Sequence, residues 1–352
     1  MIIFIFNQNS SMRYRVQAVV RETENAASFI LESVSGEVKY EAGQFITILF
    51  HNRNNEEERR SYSISSAPVL QEPLTITVKK VVNGAYSRKL VDTVQVGDIL
   101  NGLSPTGFFT LPPLSKEKVQ FVFFAAGSGI TPIYAQIKTL LALNKAAEIV
   151  LVYSNRSEKD ALFYNQLQSL AKKHPDQLFI RFLFSDAAHY SNARLSASMV
   201  EDIVQKYFPD SIQDTWIYLC GPFHYMLMIT LVLKGMGVKD RQIKKEQFII
   251  YKSEASQKPA DTDLHIVHAT IDKSVYSWKV QYPDTILQAA KKQHIDLPYN
   301  CESGQCGACA AICVKGKVWM YKNDVLVEEE INSGRILTCT AYPIGGDVEI
   351  RY

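Results

Sequence analysis

Four cysteines constrain this chain more than any other feature. Cys301, Cys306 and Cys309 form a Cys-x4-Cys-x2-Cys run, and Cys339 closes the set downstream. A binuclear iron–sulfur cluster needs four anionic thiolate ligands. A loop that wraps one needs small spacers, so that backbone N–H groups can approach sulfur. Ser303, Gly304, Gly307 and Ala308 supply those spacers. Structural zinc is the alternative, but zinc motifs usually pair two Cys-x2-Cys knuckles. Cys313, in the apolar stretch AAICV, reads as a buried small hydrophobe rather than a ligand. Only Cys220 lies outside this C-terminal segment. A secreted disulfide scaffold spreads its cysteines over a small, dense domain, so the clustering points to a metal.

At 352 residues the chain has room for two or three domains at ~150 residues each, so the cysteine segment is one module among others. Charge is nearly balanced at +2, which argues against a nucleic-acid binder that relies on bulk positive charge. A hydrophobic content of 47% with 21% charged residues is that of a soluble globular protein. The longest apolar run, 225–233, falls short of the roughly 18 residues that span a bilayer, so no membrane anchor is expected. The apolar opening 1–6 lacks the basic flank of a signal peptide, and Met12 could equally start the first domain. A cytoplasmic protein is the expectation.

Two rhythms precede the cysteines. Residues 14–21, 27–32, 44–50, 62–65, 74–81 and 98–103 read as short strands punctuated by turns such as Asn83-Gly84. That spacing predicts a closed antiparallel β-barrel over 12–113. From Val119 the pattern becomes βα: apolar strands at 119–124, 148–153, 178–184 and 216–220 alternate with helical stretches, the first at 133–143. That predicts an α/β domain with a parallel sheet over 114–251, covered on both faces. Residues 252–263 (KSEASQKPADTD) read as a linker. A hairpin at 264–271 and 276–280, a helix at 286–292 and further short strands make 264–352 an α+β domain around the cysteine loop.

Other motifs carry chemistry at the ends of these elements. In Arg60-Ser61-Tyr62-Ser63, at the start of a barrel strand, an Arg can clamp phosphate, a Tyr ring can pack on a flavin and a Ser hydroxyl can bond flavin N5. Gly84-Ala85-Tyr86-Ser87 precedes a helical segment, and Ser87 is read as its N-cap, an anion seat. Gly127-Ser128-Gly129-Ile130-Thr131-Pro132 follows the first apolar strand, where a pyrophosphate rests against a helix N-terminus. It is neither a Walker loop nor GxGxxG, and an ordinary βα turn is the plain alternative. Arg156 and Ser157 follow the second strand, placed to hold a 2′-phosphate, with a solvated loop Arg as the alternative. Cys220-Gly221-Pro222 ends the last strand, where a thiol would flank a nicotinamide, although a lone strand Cys is more often core.

In that order these motifs resemble the ferredoxin–NADP reductase superfamily with a C-terminal plant-type ferredoxin domain. The chain is similar to the oxygenase reductases of that superfamily, the phenylacetyl-CoA epoxidase type among them. The resemblance implies that the C-terminal domain is a β-grasp fold, and that Cys301, Cys306, Cys309 and Cys339 bind a 2Fe-2S cluster. It implies that Arg60, Tyr62 and Ser63 hold FAD, with Ser87 near its pyrophosphate; FMN, carried by the phthalate dioxygenase type, is the alternative. It places Gly127, Gly129, Thr131, Pro132, Cys220, Gly221 and Pro222 against the nicotinamide nucleotide. Arg156, Ser157 and Arg194 fall near its 2′-phosphate, favouring NADPH over NADH, and Glu246 near the hydride-transfer site. The implied activity is NAD(P)H oxidation with single electrons passed to a terminal oxygenase. Other acceptors, namely a fatty-acyl desaturase, a Rieske oxygenase or a hybrid-cluster protein, and a non-enzymatic iron–sulfur sensor are the competing readings.

Overall fold

A computed structural model describes residues 11–114, 119–143, 146–187, 193–208, 214–248, 258–271 and 274–352. The described residues fall into two compact units. One comprises Met12–Pro105 and Phe109–Phe248; the other holds Thr106–Phe108 and the described chain from 258 to 352. The apolar opening 1–6 and residues 252–257 of the expected linker lie outside the described residues.

The first unit begins with six strands and a helix: β1 (Ser11–Thr23), β2 (Ala26–Ser33), β3 (Phe45–His51), β4 (Glu57–Ser63), β5 (Thr75–Lys79), α1 (Ala85–Thr93) and β6 (Ile99–Leu103). Along β1 every second residue faces inward, so Met12, Tyr14 and Val16 enter the core while Arg13 and Arg15 stay outside. The strands order as β4-β3-β6-β1-β2-β5. An antiparallel bridge from Ile64, just past β4, to Ile76 on β5 closes the predicted barrel. The structure moves one boundary. β4 starts at Glu57, so Arg60 lies mid-strand, because pairing with β3 carries the polar stretch EERR that no apolar pattern marks.

The sheet of the same unit alternates β7 (Val119–Ala126), α2 (Ile130–Leu143), β8 (Ala147–Asn155), α3 (Tyr164–Lys173), β9 (Leu178–Phe184), α4 (Ala197–Tyr207), β10 (Thr215–Cys220), α5 (Phe223–Gly235) and β11 (Ile243–Glu246). All five strands run parallel in the order β11-β10-β7-β8-β9. Both faces of β7 are buried: Phe121 and Phe123 pack with residues of α2, whereas Val122 and Phe124 pack with α4 and α5. Continuous apolar runs are what such a doubly covered strand requires. The helix α2 starts three residues before the predicted 133, fed by a tight turn at Gly127–Gly129. Pro132 fits there because N–H groups of a first helical turn have no intrahelical partner.

Barrel and sheet are joined by polar contacts. The Gln136 amide donates to the Phe109 carbonyl, and the Tyr218 hydroxyl donates to the Thr110 carbonyl at 2.8 Å. Lys138 of α2, with only 8% of its side chain exposed, pairs with Glu72, which also accepts the Ala67 N–H at 2.7 Å. Burial lowers the Lys138 pKa, and Glu72 opposes that shift.

The second unit contains β12 (His265–Ile271), β13 (Ser274–Val280), α6 (Ile286–Lys292), β14 (Ala310–Lys315), β15 (Val318–Met320), α7 (Glu328–Asn332), β16 (Arg335–Leu337), β17 (Ala341–Pro343) and β18 (Val348–Arg351). Its main sheet runs β13-β12-β18-β14-β16, with β12 and β18 parallel and the other pairs antiparallel. The helix α6 occupies the predicted residues, started by a capping box: Thr285 accepts the Gln288 N–H at 3.2 Å and Gln288 returns the bond at 3.0 Å. This is the β-grasp arrangement, with Trp278, Ile286, Leu287 and Ile350 in its core. Within the stretch read as linker, Asp261 accepts the Gly345 N–H at 2.6 Å and meets the His265 ring at 2.8 Å. Residue 261 is therefore tied to the ferredoxin sheet. Among the described residues no helix is long and apolar enough to cross a membrane.

The Lys138–Glu72 pair should stabilise the barrel–sheet junction. Removing one partner strands the other charge, a cost of about 2–3 kcal/mol once the partial exposure of Glu72 is allowed for. We expect Glu72→Gln to lower the unfolding free energy from urea titration by that amount, with a lower midpoint, and Glu72→Gln/Lys138→Met to recover most of it. Equal midpoints for the single variant and the parent chain would show that the pair contributes nothing.

Candidate functional site

The site at the barrel–sheet junction is built from strand ends. Cys220, the last residue of β10, pairs in register with Ala125 of β7 on one side and Glu246 of β11 on the other. Ser63, the last residue of β4, reaches across from the barrel and donates its hydroxyl to Glu246 Oε2 at 3.4 Å. Ser63, Cys220 and Glu246 thus converge although they lie far apart in sequence. The turn before α2 passes so close that a Cβ on Gly129 would overlap the Cys220 carbonyl and lie 3.1 Å from its sulfur. Glycine is required at 129 for space. At Gly127 it is favoured by a φ of +56°. The Tyr153 hydroxyl donates to the Gly127 carbonyl at 3.1 Å and itself accepts the Leu162 N–H at 3.0 Å. Thr131 ties the turn to itself, donating to the Ser128 carbonyl at 2.8 Å.

Burial sets the electrostatics here. It pushes the Glu246 carboxyl up to about 8, against a lowering by the Ser63 bond. It also pushes the Cys220 thiol well up, with Glu246 adding to the effect. At neutral pH the thiol is protonated, and the carboxyl is largely neutral. Gly221 lets the chain turn tightly against Ala126, and Pro222 caps α5.

The barrel presents a second cluster. Arg60 is paired with Glu58 at 2.5 Å, and its guanidinium carbon lies 4.9 Å from the centre of the Tyr86 ring. Tyr86 stacks on Phe50 at 4.4 Å and belongs to the first turn of α1. Arg60 and the N-terminus of α1 therefore lie together, cation beside free N–H groups, as a phosphate seat requires. Ser87 does not cap that helix. Gly84 is the N-cap, and the buried Ser87 hydroxyl instead accepts the Val81 N–H at 3.0 Å, because the helix starts three residues earlier than predicted. Tyr62 is half-buried against the barrel core.

The candidate 2′-phosphate residues are less gathered. Arg156 is exposed just beyond β8, and Arg194 is exposed ahead of α4. Among the described residues neither guanidinium has an acidic partner. Ser157 donates its hydroxyl to Asp160 at 2.7 Å.

In the second unit the four cysteines meet. Cys301, Cys309 and Cys339 are buried and Cys306 partly so. The Cys309 and Cys339 sulfurs lie 3.2 Å apart. Hydrogen bonds from Cys306 and Cys339 pull the Cys301 thiol well down, and the same bonds push the other two up. Backbone N–H groups reach the sulfurs: Gly304 donates to Cys339 at 3.3 Å and Gln305 to Cys301 at 3.4 Å. The donor set thus fits a cluster, with crowded thiols, N–H groups already aimed at sulfur and a loop bent through positive φ at Gly304 and Gly307. Cys313 faces elsewhere. It is half-buried rather than buried as predicted, with its sulfur 3.5 Å from the Lys315 carbonyl. Sequence reasoning missed the support behind Cys309, whose carbonyl accepts the Thr338 hydroxyl at 3.1 Å, itself bonded to Tyr352 at 3.0 Å. It also missed Tyr86 and Tyr153; a strand or helix Tyr carries no local signal of such a role.

Comparison with known proteins fits this geometry. Residues 14–111 match the oxidoreductase FAD-binding domain family, 123–230 the oxidoreductase NAD-binding domain family and 269–343 the 2Fe-2S iron-sulfur cluster binding domain family. The ferredoxin reductase component of 3-ketosteroid-9-alpha-monooxygenase from Mycobacterium tuberculosis is 30% identical over 97% of this chain and 96% of its own. A 1,2-phenylacetyl-CoA epoxidase subunit from Escherichia coli is 27% identical, covering 96% of each chain. Phthalate dioxygenase reductase shares the fold with a TM-score of 0.57 and 22% identity, over 97% of this chain and 98% of that one. The chain belongs to the ferredoxin–NADP reductase superfamily, in the branch that joins FAD-binding and NAD-binding oxidoreductase domains to a C-terminal 2Fe-2S domain.

Proposed function

We propose that this oxidoreductase draws electrons from NADPH and delivers them singly to a terminal oxygenase, of the diiron type served by phenylacetyl-CoA epoxidase reductases. The observation that carries the reading is the meeting of Ser63, Cys220 and Glu246 at the junction of the FAD-binding and NAD-binding domains. The oxygenase partner is supported by the roles of the relatives, which are components of monooxygenase and epoxidase systems. We take 12–113 as the flavin domain, 114–251 as the nucleotide domain, 252–263 as the linker and 264–352 as the ferredoxin domain.

Bound flavin and cluster supply hydride acceptance and one-electron transfer, chemistry that side chains lack. The residues supply placement. Glu246 fixes the Ser63 hydroxyl, which orients the flavin edge toward the sheet. Cys220, fully buried in the core, packs beneath the Gly129 turn and closes that side of the nicotinamide site to water. Arg60, Tyr62, Tyr86 and the first turn of α1, with Ser87 holding its entry, seat the flavin and its phosphates. Gly127, Thr131, Pro132, Gly221 and Pro222 shape the turns around the nucleotide, and Arg156 with Arg194 receives the 2′-phosphate. Ser157 is engaged by Asp160, so the phosphate rests on the two guanidinium groups. Cys301, Cys306, Cys309 and Cys339 hold the cluster. An electron-transfer assay with candidate oxygenases tests the partner; cytochrome c reduction without turnover of any oxygenase would refute it.

The ligand assignment separates five cysteines. Serine at 301, 306, 309 or 339 should abolish cluster absorbance and iron while sparing the flavin, and Cys313→Ser should keep full iron. A variant at 313 that lost iron, with Cys339→Ser retaining it, would falsify the set.

Glu246 gives a pH test. Its folded carboxyl titrates near 8 against an ordinary 4.5. The folded chain therefore holds an extra proton between those values. The associated stability is complete below about pH 4.5 and is lost as pH rises through about 8. Glu246→Gln should flatten that decline in melting temperature; parallel pH profiles for variant and parent would exclude the neutral carboxyl.

For the nucleotide, Arg156→Ala should cut kcat/KM for NADPH roughly ten- to a hundredfold by removing a charge-assisted contact, and leave NADH nearly unchanged. Equal losses with both nucleotides in steady-state kinetics would remove Arg156 from the 2′-phosphate site.

A further inference from the structure

The segment Thr106–Phe108 is remote in sequence from the ferredoxin sheet yet belongs to its compact unit. Its half-buried Phe108 ring lies on the cysteine loop. Gly307, buried and at φ +73°, has no room for a side chain: a Cβ there would overlap the ring edge, with Phe108 Cε2 at 2.7 Å. On the same ring rests Arg335, its guanidinium carbon 4.8 Å from the centroid. Arg335 opens β16, the strand that leads into Thr338 and Cys339. One ring therefore braces both stretches of chain that carry the cysteines. It does so next to Cys306, the one of the four that is not fully buried. Gly304 differs, since its missing Cβ makes way for the Lys322 carbonyl at 2.9 Å.

We propose that Phe108 is a positioning residue of the cluster site, sealing its Cys306–Gly307 shoulder against water and fixing the loop against β16. The inference rests on the assignment of the four cysteines as ligands. Solvent exposure is one of the levers on an iron–sulfur potential, because water favours the more highly charged reduced form. Local packing is what keeps a loop of this kind from opening.

The test uses the full-length holoprotein, with flavin content as the folding control. Phe108→Ala should keep its iron, raise the cluster midpoint potential and speed amide hydrogen exchange across 304–309 roughly five- to thirtyfold. Unchanged exchange and potential would overturn the proposal. Gly307→Ala should destabilise the cluster to a chelator in the parent chain and do so less in the Phe108→Ala background, where the overlap is gone. An equal penalty in both backgrounds would place the whole cost in the positive φ and also overturn it. If Phe108→Ala loses flavin, Phe108→Leu, which keeps apolar bulk without the flat ring, is read in the same assays. Iron retained by a ligand-cysteine variant would instead refute the ligand assignment, whatever Phe108 does.

Discussion

No side chain fits between residue 129 and the Cys220 carbonyl, and the flavin–nucleotide half of the molecule is arranged around that contact. The β7–α2 turn can approach the end of β10 only as glycine. Parallel pairing in register brings the ends of β7, β10 and β11 to one edge beneath that turn. Register then sets Cys220 beside Glu246, and the barrel meets that edge through Ser63. A ligand at the carboxyl ends of parallel strands touches this edge, the usual crevice of open α/β sheets. The position of Ser63 depends in turn on the barrel–sheet contacts of Gln136, Tyr218 and Lys138.

The two units solve opposite electrostatic problems. At the junction, burial raises both a carboxyl and a thiol and so favours their neutral forms. In the ferredoxin unit four thiols are pressed together, and hydrogen bonds from Cys306 and Cys339 lower the Cys301 thiol. Backbone N–H groups already face two of the sulfurs, Gln305 on Cys301 and Gly304 on Cys339, and a metal would take up the thiolate charge. The loop is held by packing as much as by sulfur: the space of two missing Cβ atoms is filled by Phe108 and by the Lys322 carbonyl.

How legible each part was follows from its physics. The doubly covered strands β7 and β8 announce themselves as apolar runs, and β1 through its alternation. The cysteine spacing carries its chemistry because thiolate ligation leaves few alternatives. By contrast β11, IKKE, is a short edge strand made by pairing with β10, so Glu246 stood out only through family resemblance. Ser87 was placed at a helix cap because GAYS has the residue types of one. The backbone chose Gly84, and Ser87 closes the preceding turn instead. Phe108 was invisible as a site residue. Its role depends on a contact with Gly307 that no local pattern encodes.

The polar groups proposed for phosphate binding differ in what they give up. Arg60 is held by Glu58, and the Ser157 hydroxyl by Asp160, so a phosphate arriving at either must replace a carboxylate already in place. The exchange would favour the flavin pyrophosphate, whose two negative charges and four free oxygens can meet the guanidinium and the free helix N–H groups together. Arg60 beside the first turn of α1 has that arrangement. Arg156, with no acid on its guanidinium among the described residues, gives up nothing but water. On the proposed assignment, selection at the flavin seat would be a competition between anions settled by geometry, whereas the exposed Arg156 would rely more on charge and be the more open to screening by salt.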